Sequence, residues 1–421
     1  MEILQIEHDL IPVVTEMELT GVKIDQKLLK QTKSSLLKLQ SQYIEKIQSY
    51  AKDDININSN GQISTLLFET LSITPKDKNI SKNGCYSVNK AHLNKLEGEH
   101  PIILLLLKYR RITALLKFCN QLGNTHPKTG RLHASFNQIG TETGRFSSSK
   151  PNLQNIPSQE IENNEQDQLK ILASNFRKVF IPKKGCQFIG ADYSQIELRV
   201  MAEYSQDSFL MKAYNEDLDI HKLTAKEVFD IEYDDVTIEQ RKVAKSINFG
   251  LIYGTTAYGL ADSLTQITGN EHSKKDAQKI MTTYFKRFSG VKTCLDNLVQ
   301  QADKRGHSTT LYGRKRPLSK LQSNKLSKRE SGKRMAMNSP IQGTAADIIK
   351  LAMIKCDKAI KEKNLKSKII LQVHDELLFE VPNSEMEQMT KLVKDCMENA
   401  VNLSIPLEVD LKKGKNWAEV H

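Results

Sequence analysis

The chain lacks the features that would staple it together or anchor it in a membrane. Its six cysteines among 421 residues form no Cys-x-x-Cys pair. Cys85, Cys119, Cys186, Cys294, Cys356 and Cys396 lie scattered, which speaks against a disulfide framework or a zinc site. They read as reduced thiols of an intracellular, cytoplasmic protein. Long hydrophobic runs are missing as well. The longest strong one, Ile102–Leu107, has six residues, whereas a membrane-spanning helix needs ~20. The opening MEILQIEHDL is acidic and has no basic n-region, so it does not read as a signal peptide. The sequence shows no internal repeat and no low-complexity linker.

What is present in excess is positive charge. Lys and Arg number 61 against 50 Asp and Glu, for a net charge of +11. That balance suits a polyanionic partner without requiring one. The excess is uneven: Arg305 to Arg334 holds ten Lys or Arg and a single acid, Glu330. Such a run is as readily a solvated face as a phosphate-binding one. Gly313-Arg314-Lys315-Arg316 and Lys333-Arg334 are its candidates for phosphate contact. The length allows two or three domains with a sizeable core.

Residues 26–50 read as a helix rich in Lys, Gln and Leu, with a mostly polar face. The polar stretch Asp53–Gln62, with Asn-Gly at 60–61, breaks it. A second loop, Thr74–Gly84, precedes a helix ending near Asn120. From His126 the texture changes to short strands and turns, and residues 205–327 are helical again. Asn163–Gln168 is a polar insertion, expected in a surface loop.

Three short segments concentrate chemistry. Lys183-Lys184-Gly185 reads as a turn and Gln187–Ala191 as a small apolar strand leading to Asp192. Ile196, Val200, Met201 and Tyr204 then recur at helical spacing. Asp192 therefore sits at a strand-to-helix corner, where it either caps the helix or joins other oxygens on a cation. In the second segment, Thr237 to Gln240 has the form of a capping box, starting a helix at about Ile238. Val243, Ile247 and Leu251 form its apolar stripe. Arg241, Lys245, Phe249 and Tyr253 are offset by roughly 200° and line the opposite face, rising roughly 6 Å apart. Two cations followed by two aromatics match a triphosphate followed by a sugar and base. In the third segment, Ile369–Val373 and Leu377–Val381 are apolar strands joined by His374-Asp375-Glu376. Acids at a hairpin tip are ordinarily solvated, but a second carboxylate near Asp192 could share two Mg²⁺ ions about 3.5–4 Å apart.

Taken in order, DYSQIELR (Asp192–Arg199), RKVAKSINFGLIYG (Arg241–Gly254) and VHDE (Val373–Glu376) resemble motifs A, B and C of the family A DNA polymerases of the bacterial DNA polymerase I type. The resemblance runs from about Glu18 (EMELTGVKID) to the C-terminus, nearly the whole chain, and covers the polymerase domain only. It implies an α+β right-hand fold. Residues 1–24 would join the palm, 25–124 form a helical thumb, 125–204 and 328–421 an antiparallel-sheet palm, and 205–327 helical fingers. The implied activity is DNA-templated extension of a primer by dNTPs with two Mg²⁺, in replication or repair.

By the same resemblance, Asp192, the Tyr193 carbonyl and Asp375 bind metal, with Glu376 a nearby acidic helper. Arg241 and Lys245 hold the triphosphate, Lys245 with a catalytic role. Phe249, Tyr253, His221, Glu197 and Gln195 surround the nucleotide, and Glu197 with Tyr253 excludes a 2′-hydroxyl. Thr143–Pro157 (TGRFSSSKPNLQNIP) brings Arg145, Asn152, Gln154 and Asn155 to primer and template. Lys150 stands where many members carry an acid. Beyond it the usual Arg-containing continuation is replaced by the longer, more acidic Ser158–Asn164. Arg334 to Asp347 also matches, with Arg334, Asn338 and Gln342 on the minor groove, whose acceptors are similar for every base pair. His374 and Arg314 complete the expected DNA contacts. Ser339-Pro340 has the form of an N-cap and first helical residue, which would let Gln342 serve a helix start instead.

A single-subunit RNA polymerase and a nucleic-acid-binding protein without catalysis are the rival readings. Glu197 and QGTAAD count against the first, and the intact Asp192, Asp375, Arg241 and Lys245 against the second. The thumb-like sequence begins within about twenty residues of Met1, leaving no room for a proofreading or 5′-nuclease domain. A monomer is expected, with separate nuclease or processivity partners as an option.

Overall fold

The computed structural model describes residues 3–76, 80, 84–157 and 167–421. At its centre is an antiparallel sheet of β1 (Cys186–Tyr193), β2 (Lys368–Val373), β3 (Glu376–Pro382) and β4 (Val409–Gly414), in spatial order β4-β1-β3-β2. Phe188 to Ala191 are buried without a break, as in a strand covered on both faces. Side chains alternate between those faces. Tyr193 turns to one of them, where its hydroxyl donates to the Met397 carbonyl at 2.7 Å. Gly190 lies on the other, against the chain end. A Cβ there would come within 2.4 Å of the Val420 carbonyl oxygen, so only glycine allows this approach. The register sets Glu376 opposite Asp192 from β3, and Asp410 opposite Asp192 from β4.

Helices surround the sheet. The first is α1 (Ile3–Thr20), followed by α2 (Gln26–Gln48) and α3 (Pro101–Leu122), which pack on each other. Their far ends enclose a small separate core that includes Ile47, Ile63, Leu67, Ile102 and Leu106. Next come α4 (Gln168–Lys178), α5 (Ile196–Ser205), α6 (Ile220–Phe229) and α7 (Ile238–Ile252). The chain returns through a hairpin, His307–Thr309 with Lys315–Pro317, into α8 (Leu326–Glu362) and finally α9 (Met386–Glu398). One apolar core runs from α1 through the sheet to α7 and α9.

Several expectations need correcting. Ser339-Pro340 does not open a helix, because α8 runs 37 residues with Pro340 inside it. A mid-helix proline costs about 3 kcal/mol. Burial of Ile341, Ala345, Ile348, Ile349, Ala352 and Met353 along the same helix offsets it. Ser339 points its hydroxyl to the Met335 carbonyl at 2.6 Å, as a mid-helix serine does. Gln342 is therefore far from any helix start. The polar stretch Asp53–Gln62 does break α2, but its last residues, from Asn60 and Gly61, already belong to a short helix, Asn60–Thr65, capped by Ser59. The 205–327 region includes the 307–317 hairpin as well as helices. The acidic departure at 158–164 and most of the 163–168 insertion lie outside the described residues, as does part of the 74–84 loop. Among those that are described, Asp167 caps α4.

Candidate active site

Strand β1 ends at the corner expected of it. Asp192 is exposed between buried Ala191 and Tyr193. It does not cap α5: that position belongs to Gln195, in the left-handed region at φ +53° and without a side-chain cap bond. The Gln195 amide oxygen instead accepts from Tyr214 Oη at 3.3 Å. Between β2 and β3 the chain turns through His374, also left-handed at φ +51°. The Tyr193 N–H donates to the Asp375 carbonyl at 3.2 Å, tying the two acid-bearing segments together. Although Asp192 as a whole is exposed, desolvation of its carboxyl by the surrounding protein, then the charges of Asp375 and Glu376, push it up to about 6. Burial likewise raises Asp375, against the pull of Arg145 and His374. Two carboxylates kept close in a partly desolvated corner, with carbonyls beside them, form a hard-oxygen donor set. Mg²⁺ favours such sites and keeps other positions for water or phosphate. Among the described residues no three His, Cys, Asp or Glu side chains converge on one ion position. The fit is therefore to an open, two-carboxylate site.

Glu376 does not present its carboxylate as a free acid. It is buried, Oε1 accepts from Trp417 Nε1 at 3.0 Å, and Oε2 lies 2.9 Å from His421 Nδ1. Glu197 is buried as well and paired with Arg145. Burial, with Asp375 adding and Arg145 opposing, lifts its carboxyl to about 7.

Helix α7 has the capping box read from Thr237 and Gln240. Val243, Ile247 and Leu251 are buried, Lys245 is exposed, and Arg241, Phe249 and Tyr253 are intermediate. Tyr253 is the C-cap residue. Arg241 Nε donates to Asp219 Oδ2 at 2.6 Å, and Asp219 also caps α6 at His221 and Lys222. His221 is buried, and its Nδ1 lies 2.9 Å from Asn248 Nδ2. Its ring lies 6.0 Å from Phe249, itself 6.2 Å from Tyr253. Burial holds His221 down at about 4, so it is neutral at pH 7.

A cavity of about 220 Å³ brings Arg145, Gln154, Gln342 and His374 together. Gln154 Nε2 donates to Gln372 Oε1 at 3.3 Å. Asn152 caps the short turn Leu153–Asn155 through its own side chain, and Asn155 is exposed. Arg334 is exposed, and Asn338 Oδ1 is buried without a partner, an acceptor waiting for a donor. Arg314 departs from expectation. Its guanidinium donates to Asp347 at 2.9 and 2.7 Å and also to Glu7, with 14% of the side chain exposed. Its Nε and Nη2 serve a buried network.

The profile of DNA polymerase family A matches residues 26–419. The chain belongs to DNA polymerase family A. Among curated proteins, this family A chain is 46% identical over 420 residues to DNA polymerase I of Caldicellulosiruptor bescii, spanning 98% of itself and 47% of that relative. To DNA polymerase I of Bacillus caldotenax it is 41% identical over 419 residues, 99% of itself and 46% of the relative. It thus spans about half the length of the curated relatives it matches. A solved structure, the POL domain of Pol1 from M. smegmatis in complex with DNA primer-template and dNTP, superposes with a TM-score of 0.88 at 38% identity. The match covers 99% of this chain and 70% of that one. The α+β fold is that of a family A polymerase domain.

Sequence reading missed Trp417, Arg177 and Asn248, which hold Glu376 and His221 in place. Trp417 carried one usable signal: it is the only tryptophan.

Proposed function

We propose that the chain is a DNA-templated DNA polymerase that extends a primer 3′ end with dNTPs and releases pyrophosphate. One observation carries this reading. The sheet register and the Tyr193–Asp375 bond set two carboxylates at one strand end, in a chain whose α7 lines up Arg241, Lys245, Phe249 and Tyr253. Asp192, Asp375 and the Tyr193 carbonyl would hold divalent cations, two Mg²⁺ in this reading, which would supply activation of the primer hydroxyl and neutralisation of phosphate charge.

The protein's own groups position the reactants. Arg241 and Lys245 take the triphosphate, and neutral His221 sits beside it. Phe249 and Tyr253 pack on sugar and base, while Glu197 with Tyr253 fills the space of a 2′-hydroxyl. Arg145, Gln154, Gln342, His374, Arg334 and Asn338 take the primer–template, with Asn152 acting through the turn it caps. Most of the rate comes from this positioning and from fixed charge. In the same reading residues 25–124 are the thumb, 205–327 the fingers and the remainder the palm, and the chain works as a monomer. Buried Glu197 favours DNA over RNA synthesis.

Primer extension tests the proposal. Asp192→Ala and Asp375→Ala should each lose orders of magnitude in rate while primer–template binding survives. Near wild-type extension by either variant refutes the metal assignment. These residues are assigned synthesis alone. With Mg²⁺ and no nucleotide, a labelled 3′-mismatched primer should keep its length.

A further inference from the structure

Glu376 stands directly opposite Asp192 across β1 and β3, so the two side chains leave the sheet on one face with Cβ atoms roughly 4.5–5.5 Å apart. A glutamate so placed could reach any cation that Asp192 holds. Yet no third acidic side chain joins that position among the described residues, and the reason lies on the far side of the carboxylate. Trp417 Nε1 donates to Oε1 at 3.0 Å, His421 Nδ1 lies 2.9 Å from Oε2, and Arg177 Nη1 lies 4.0 Å from Oε2. Trp417 is fully buried and braced on both sides. The Arg177 guanidinium stacks 4.5 Å from its ring centroid, and Phe180 meets it edge-on at 5.1 Å. Arg177 is itself buried and fixed by a 3.1 Å bond from Nε to the Pro157 carbonyl.

We propose that Trp417 is a positioning residue for the cation site: its indole N–H holds the Glu376 carboxylate toward the chain end, so that Glu376 contributes negative potential beside Asp192 without becoming a metal ligand. This rests on the polymerase reading of Asp192 and Asp375. Chemistry explains the need. A third carboxylate would tighten the site, because affinity rises with ligand charge, and would take a position that water, primer or triphosphate oxygens must fill. A buried indole N–H needs an acceptor, and here that acceptor is the carboxylate that stands opposite Asp192.

The experiment uses the full chain bound to primer–template. Mn²⁺ binding is read by electron paramagnetic resonance, and Mg²⁺ dependence by extension. Trp417→Phe should tighten Mn²⁺ by about tenfold, in the range seen when groups behind a metal site are altered, and should lower kcat. Glu376→Gln should abolish that effect, leaving Trp417→Phe/Glu376→Gln equal in Mn²⁺ affinity to Glu376→Gln alone. Because Trp417 is the only tryptophan, global replacement by 3-benzothienylalanine removes the N–H and keeps the shape. This second variant should reproduce the tightening even if Trp417→Phe fails to fold. Mn²⁺ affinity within twofold of the parent in the benzothienyl protein, or the same tightening with and without Glu376, overturns the proposal. Asp192→Asn separates the two readings: Mn²⁺ binding that survives it refutes the cation site itself rather than the role of Trp417.

Discussion

Asp347→Asn is the sharpest test of how α1 is bound to the rest of the molecule. Asp347, Arg314, Glu7 and Lys350 form a network of two positive and two negative charges. Asp347 and Lys350 side chains are wholly buried, and Glu7 and Arg314 side chains are each 14% exposed. Asp347 accepts from Thr310 Oγ1 at 2.8 Å and twice from Arg314. Lys350 Nζ donates to Glu7 at 2.6 Å and to the Gln138 carbonyl at 2.7 Å. Burial pushes the Asp347 carboxyl up and the Lys350 ammonium down, against the pull of Arg314 on the first and of Glu7 and Asp347 on the second, so each charge needs its partners to offset desolvation. Asparagine keeps the shape and removes one negative charge, leaving a buried net charge of +1. Breaking one side of such a pair costs about 3–5 kcal/mol, a large part of a typical stability of roughly 5–15 kcal/mol. Removing both partners, as in Arg314→Met/Asp347→Leu, leaves the neutral Glu7–Lys350 pair and should cost about 1 kcal/mol or less. Urea unfolding at pH 7, followed by circular dichroism, measures both. The variant has a further mark. With Asp347 gone the Lys350 ammonium is lowered further in the folded state, so the folded protein binds fewer protons and the deficit shrinks as pH rises. A loss under about 1 kcal/mol in Asp347→Asn, or a double variant no more stable than the single, refutes the reasoning.

Three further outcomes follow from the site. Phe249 shares its helix face with Arg241 and Lys245, so in the proposed site Phe249→Tyr adds a hydroxyl beside the sugar's 3′ edge. It should raise chain termination by dideoxynucleotides in a matched ddNTP/dNTP competition, and equal termination by both proteins would withdraw the helix-face assignment. Glu197→Ala removes the buried side chain that the proposal sets in the 2′ space. The NTP/dNTP ratio of kcat/KM should rise, and an unchanged ratio counts against the gate. His221 stays neutral to about pH 4 when folded but takes a proton from pH 6.5 down when unfolded. Its contribution to stability is therefore complete above pH 6.5 and is lost as pH falls toward 4, by up to about 3 kcal/mol. His221→Gln should flatten that acid limb in urea titrations at pH 7 and pH 4.5, and an identical acid loss in both proteins would show that His221 charges freely.

How much of this was legible depended on how far apart the cooperating residues lie in the chain. The Asp192 corner could be read because an apolar strand and a helical periodicity meet there within twenty residues. The face of α7 could be read because one helix carries all of it. Ser339-Pro340 misled, since a local preference for helix starts was overridden by the buried stripe that continues through α8. Arg314 misled for another reason. Its acidic partners lie 33 and 307 positions away, so only its basic neighbours were visible. Trp417 and Glu376 are 41 positions apart, and nothing local to either residue announces the bond.

The register of β1 also bears on which changes of length the chain can inherit. Successive side chains take opposite faces of a strand. Deleting one residue between Cys186 and Asp192 would swing the acid toward the Met397 side and bring a tyrosine-sized ring to the corner. Substitutions in this stretch alter packing by degrees, but a single lost or gained codon inverts the site. The turn at Lys183 to Gly185 has no such parity to keep. Insertions and deletions should therefore be tolerated there and purged a few residues later, a sharp boundary that a library of single-codon deletions scored for growth or extension would reveal.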